Sequence, residues 1–111
     1  MQTVNILGAT YSIEYKTIAE DNMLENVDGY CDYTDRKIVI KSENNNNLGD
    51  FERLKRKSLR HEIIHAFLSE SGLQANFQHC EKFGHDETMV DWFAIQFPRI
   101  AEVYKKLDII E

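Results

Sequence analysis

The five residues His61-Glu62-Ile63-Ile64-His65 constrain this chain more than any other stretch. An H-E-x-x-H motif does chemistry only on a helix. With 3.6 residues per turn, positions i and i+4 project from one face, so the two imidazoles stand one above the other and can share a metal ion. Glu62 is offset around the helix, where it can reach a water on that metal without taking a coordination position. At ordinary residue frequencies such a motif arises by chance in on the order of one in a few hundred chains of this length. Leu59, Ile63, Ile64, Phe67 and Leu68 surround it with the apolar spacing of a half-buried helix.

That helix extends well upstream. Asn47 or Asp50 is a suitable N-cap, apolar positions recur at Phe51, Leu54, Leu59, Ile63, Phe67 and Leu68, and Gly72 is a natural C-terminal stop. A helix of roughly 22 residues would be more than about 30 Å long and would cross the domain. Its first turns carry Arg53, Lys55, Arg56, Lys57 and Arg60, which read as a solvated face.

Before the helix the pattern changes to strands. Val4-Asn5-Ile6-Leu7 and Tyr11-Ser12-Ile13-Glu14-Tyr15-Lys16 flank Gly8, and Tyr11, Ile13 and Tyr15 alternate with polar residues as on a sheet with one covered face. Residues 19–27 are acidic and form a connection. Asp28-Gly29 opens a hairpin of Tyr30-Cys31-Asp32-Tyr33 with Lys37-Ile38-Val39-Ile40-Lys41, turning near Asp35. The lysine bracket predicts that the second of these strands is a sheet edge, open to an added peptide strand. The asparagine run at 44–47 is an exposed loop. Residues 73–85 read as a loop. A final helical pattern starts near Asp86, runs through Met89, Val90, Phe93, Ala94 and Phe97, breaks or restarts at Pro98, and continues through Ile100, Val103, Tyr104 and Leu107. Trp92 and Phe93 are expected in the core.

With 111 residues and 42% apolar composition, the chain is expected to be a single domain spanning 1–111. A net charge of −6 argues against nucleic acid as a partner. No stretch is apolar enough for a membrane span and the N-terminus lacks a secretion signal, so a cytoplasmic location is expected. Cys31 and Cys80 read as small buried hydrophobes.

Catalytic zinc takes three protein ligands and leaves a fourth position for water. A histidine six residues past the second is excluded, because that position is Ser71 and the intermediate glycine is replaced by Leu68. A glutamate from a later helix fits Glu87, with Asp91 one turn on, placed to accept a hydrogen bond from a ligand imidazole. His85, Asp86 and Asp91 are the alternatives for the third position. The oxyanion-stabilising group is sought among Tyr30, Tyr33, His85 and Tyr104.

His61-Glu62-x-x-His65 followed by Glu87-x-x-x-Asp91-x-Phe93-Ala94 and Pro98 resembles the pattern of the ImmA/IrrE-like metallopeptidases, small zincins of phages, mobile elements and bacteria. Val90-Asp91 stands where that family has Ala-Asn, closer to the gluzincin Glu-x-x-x-Asp arrangement. The resemblance covers residues 59–98 and implies a regulatory protein as target. The expectation is therefore an α+β, minimal zincin-like fold: a small antiparallel sheet packed on a long active-site helix, with C-terminal helices. Zinc would be held by His61, His65 and Glu87, Glu62 would be the general base, and the reaction would be hydrolysis of a peptide or protein. A zinc-containing regulatory module without protease activity is the alternative.

Overall fold

The computed structural model describes residues 2–73 and 87–111; the side chains at 87, 88, 90, 91 and 94 lie outside the description. Strands β1 (Gln2–Ile6) and β2 (Ala9–Lys16) form a hairpin. Its two-residue turn, Leu7-Gly8, has φ of 53° and 94°, the left-handed backbone that a tight hairpin requires. The Asn5 side chain fixes it by accepting the Gly8 N–H at 2.9 Å. Next come a 3₁₀ turn over Asn22–Glu25 and strands β3 (Gly29–Asp32) and β4 (Lys37–Lys41). Asp32, rather than Asp35, holds the β3–β4 turn: its carboxylate accepts the Thr34 N–H at 3.0 Å and the Thr34 hydroxyl at 2.6 Å.

The four strands lie in the order β1-β2-β4-β3. Two expectations are corrected here. The sheet is mixed rather than antiparallel, because β4 runs parallel to β2 with Ile13 opposite Ile38 and Tyr15 opposite Ile40. The crossover between them carries no long helix; it passes through the 3₁₀ turn and β3, a connection without a periodic signature. Nor is β4 an edge. It lies between β2 and β3, with Ile38, Val39 and Ile40 fully buried, and β3 takes the edge position. The unbroken apolar run Ile38-Val39-Ile40 is the mark of a strand covered on both faces, and the flanking lysines only end it.

Helix α1 (Phe51–Glu70) lies on this sheet against β3 and β4. Asp50 caps it by accepting the Arg53 N–H at 3.1 Å, and Gly72, at φ 83°, ends it beyond Ser71. Its buried stripe is Leu59, Glu62, Ile63, Ala66 and Phe67. Glu70, at the helix end that disfavours a negative charge, is engaged twice. The buried Tyr11 hydroxyl donates to it at 2.8 Å and Arg36 Nε at 3.2 Å, tying the helix end to β2 and to the β3–β4 turn.

Helix α2 (Glu87–Lys106) is one continuous helix with Pro98 inside, not two segments. Trp92, Ile100 and Val103 join the core formed by Val4, Ile6, Tyr11, Ile13, Ile38, Ile40, Leu59, Ile63 and Phe67. Trp92 Nε1 donates to Ser71 Oγ at 2.9 Å, which fastens α2 to the end of α1. Two apolar expectations fail: Phe93 is 40% exposed and Tyr15 is 44% exposed. Phe93 packs edge-to-face on the buried Trp92, ring centres 5.0 Å apart, with its outer side open to solvent, and Tyr15 lies beneath the Lys55 ammonium, 5.7 Å from its ring centre. Beyond α2, Ile109 is buried and its carbonyl accepts Arg60 Nη1 at 2.8 Å. The architecture is thus α+β, and among the described residues no helix is long and apolar enough to cross a membrane.

Candidate metal centre

The middle of α1 delivers three potential ligand groups to one place. His61, Glu62 and His65 each offer a nitrogen or oxygen, and these atoms lie within 4.8 Å of one another. The two Nε2 atoms are 3.2 Å apart, with ring centres at 4.9 Å and planes inclined by 67°. Two nitrogens each about 2.0–2.1 Å from a tetrahedral zinc sit about 3.3 Å apart, so the pair has the bite of a shared metal. Without a metal, the same separation is a hydrogen bond in which one ring donates to the other.

The histidines and the glutamate differ in environment. His61 and His65 are exposed, whereas Glu62 is only 7% exposed, on the buried side of the helix. Burial pushes the Glu62 carboxyl above its usual range, and nearby His61 offsets part of that rise. Desolvation, helped by His61, holds His65 below the usual imidazole range, which keeps it neutral at pH 7 with a lone pair to donate. An imidazole pair with an adjacent carboxylate suits zinc and other borderline divalent metals.

A cleft of about 470 Å³ opens beside the motif. Ser58, His61 and Glu62 form part of one wall, and Asp28, Gly29 and Lys41 part of the other. Sequence reasoning missed Lys41. Of the described residues, Glu62 and Lys41 are the two buried charged ones, and both line this cleft. Lys41 pairs with Asp28 at 3.6 Å. The signal was available: a lysine that directly continues a strand buried on both faces is drawn in with it.

The other predicted site residues fare unevenly. Glu87 and Asp91 lie on α2, but their side chains are outside the described residues, as are His85, Asp86, Cys80 and the rest of residues 74–86, on which the expected loop falls. Tyr30 and Tyr104 have their hydroxyl protons committed elsewhere, Tyr30 to Asp21 and Tyr104 to the Arg60 carbonyl at 3.0 Å. Burial and Asp21 push the Tyr30 phenol up to about 12. Tyr33 is 54% exposed. Cys31 packs half-buried on β3, and burial, with Glu62 and Asp32 nearby, pushes its thiol up to about 12, which leaves it protonated and inert at neutral pH. Comparison with protein-family models, with curated proteins and with solved structures found no match.

Proposed function

We propose that this chain is a zinc-dependent peptidase of minimal zincin type. The 3.2 Å separation of the His61 and His65 Nε2 atoms, beside a buried carboxylate at an open cleft, is the observation that carries the reading. His61 and His65 would hold the metal, and Glu87 from the first turn of α2 would complete the ligand set. Zinc there would polarise the scissile carbonyl and bring the attacking water to a pKa of about 7. Glu62 would act as the general base, taking a proton from the attacking water and returning it to the leaving amine. Its burial supports this, because a raised carboxyl pKa lies closer to that of the water it must deprotonate. Asp91 would orient a ligand imidazole. The substrate is a peptide or protein, and the resemblance to the ImmA/IrrE-like group makes a regulatory protein the first choice.

The test compares the proteins cleaved in a host extract by wild type and by Glu62→Gln. The variant keeps volume and hydrogen-bonding reach but cannot take a proton at neutral pH. Hydrolysis should fall by about 10²–10⁴-fold, the effect of removing a general base. Matching digests would remove Glu62 from catalysis. A zinc-loaded wild type that cleaves nothing would favour a regulatory, metal-holding module instead.

A further inference from the structure

The basic face of α1 has no role in the centre described above, and its placement runs against local stability. Five of the 13 lysines and arginines fall within positions 53–60 of a chain whose net charge is −6. Positive charge in the first turns of a helix opposes the helix dipole, and like charges at i, i+4 repel. Most of these cations have partners. Lys55 pairs with Glu52 at 3.1 Å, and Arg56 and Arg60 donate to the carbonyls of Glu111 and Ile109. Arg53 and Lys57 do not: both are exposed, and among the described residues no carboxylate lies within ion-pair distance of either side chain. They line a groove of about 350 Å³ with Asp50, Leu54 and Arg60. Its one carboxylate, Asp50, is engaged as the helix cap.

This groove joins the metal cleft, because Leu54 and Lys57 line both. We infer that it receives an acidic, extended segment of the polypeptide that enters the cleft, with Lys57 and Arg53 reading carboxylate side chains. The inference rests on the peptidase reading for calling that polypeptide a substrate. The spacing supports it: Arg53, Lys57 and His61 are four residues apart, about 6 Å of helix rise per step. Same-side residues of an extended peptide recur about every 6.6–6.8 Å. Carboxylates about two and four residues from the scissile bond, on the side running toward the start of α1, would meet Lys57 and Arg53. Glu25, which also lines the cleft, repels the same carboxylates and directs them toward Lys57 and Arg53, whereas the charge of Asp28 is offset by Lys41. Nucleic acid fits less well. Two unpaired cations are far fewer than the roughly 6–10 phosphate contacts of a typical binding surface, and the negative chain repels a long polyanion.

The experiment uses the full chain carrying Glu62→Gln, so that no peptide is consumed. Fluorescence anisotropy measures a labelled, amide-capped decapeptide with glutamate at alternate positions, its glutamine counterpart and a 20-nucleotide single-stranded DNA. The glutamate peptide should bind at least about tenfold more tightly than the glutamine peptide in 50 mM salt, and the gap should narrow at 200 mM. Arg53→Glu with Lys57→Glu should erase the preference, and each single Gln substitution should reduce it by several-fold, with the circular dichroism of each variant unchanged. Equal binding of the two peptides would overturn the inference, as would DNA binding more tightly than the glutamate peptide. Retained glutamate preference in a chain that hydrolyses nothing would strike the peptidase reading alone.

Discussion

Glu62 should weaken the metal-free fold that it serves. It is the one carboxylate on the buried stripe of α1, and it accepts no hydrogen bond from any described residue. Its oxygens face the cleft and are not orphaned, since among the described residues Gln96 Oε1 is the buried side-chain atom without a partner; the cost is one of partial desolvation, set against the roughly 1–3 kcal/mol of a wholly unsatisfied buried polar group. The lower end applies, because Glu62 lines an open cleft and its replacement in Glu62→Gln is still polar. The expected gain is therefore about 1 kcal/mol at pH 7. For 111 residues, unfolding entropy makes that a rise in Tm of about 4 °C. The pH dependence gives a second handle. Burial raises the folded-state pKa above the unfolded value of about 4.3, so the native state binds more protons through that window. Ionised Glu62 destabilises above the folded pKa, and the penalty disappears below the unfolded one. Differential scanning calorimetry of wild type and Glu62→Gln, both in chelator, should show the Tm gap at pH 7 and its closure toward pH 4. A variant melting at or below wild type at pH 7, or a gap independent of pH, would refute the reasoning.

Two further substitutions probe the frame around the cleft. Gly29→Ala would place a Cβ 2.8 Å from both Ile40 Cδ1 and the Val39 carbonyl oxygen, so β3 must shift away from β4. A loss of about 1–3 kcal/mol is expected in urea unfolding. Tyr11→Phe removes the hydroxyl that donates to Glu70 and leaves Arg36 as its remaining partner. A loss of about 1–2 kcal/mol is expected by the same assay, with faster amide exchange confined to the end of α1.

Local signals reported local structure well. The capping Asp50, the glycine stop at Gly72, the β1–β2 strands around Gly8 and the β3–β4 hairpin all follow from side-chain chemistry within a few residues. The His61/His65 juxtaposition is likewise a consequence of helical period. Strand order was not legible, because nothing local states that β4 inserts beside β2 in parallel and leaves β3 at the edge. The lysines at 37 and 41 pointed the wrong way: Lys41 is 9% exposed, its charge held by Asp28. Pro98 signals a break or restart in the sequence, yet α2 runs through it, since one missing N–H costs less than losing the packing of Ile100 and Val103 that the continued helix provides.

Metal content tests the central claim most directly. Elemental analysis of chain purified without added zinc should give one zinc per chain in wild type and in Glu62→Gln, and none in the His61→Ala/His65→Ala double variant. Glu87→Gln should weaken affinity by at least about tenfold. Affinity should also fall at acid pH, where protons compete for the imidazole nitrogens, and the lowered pKa of His65 carries that loss below the usual imidazole range. A wild type without zinc that also fails to take it up at pH 7.5, or a zinc content unchanged by loss of both histidines, would contradict the account.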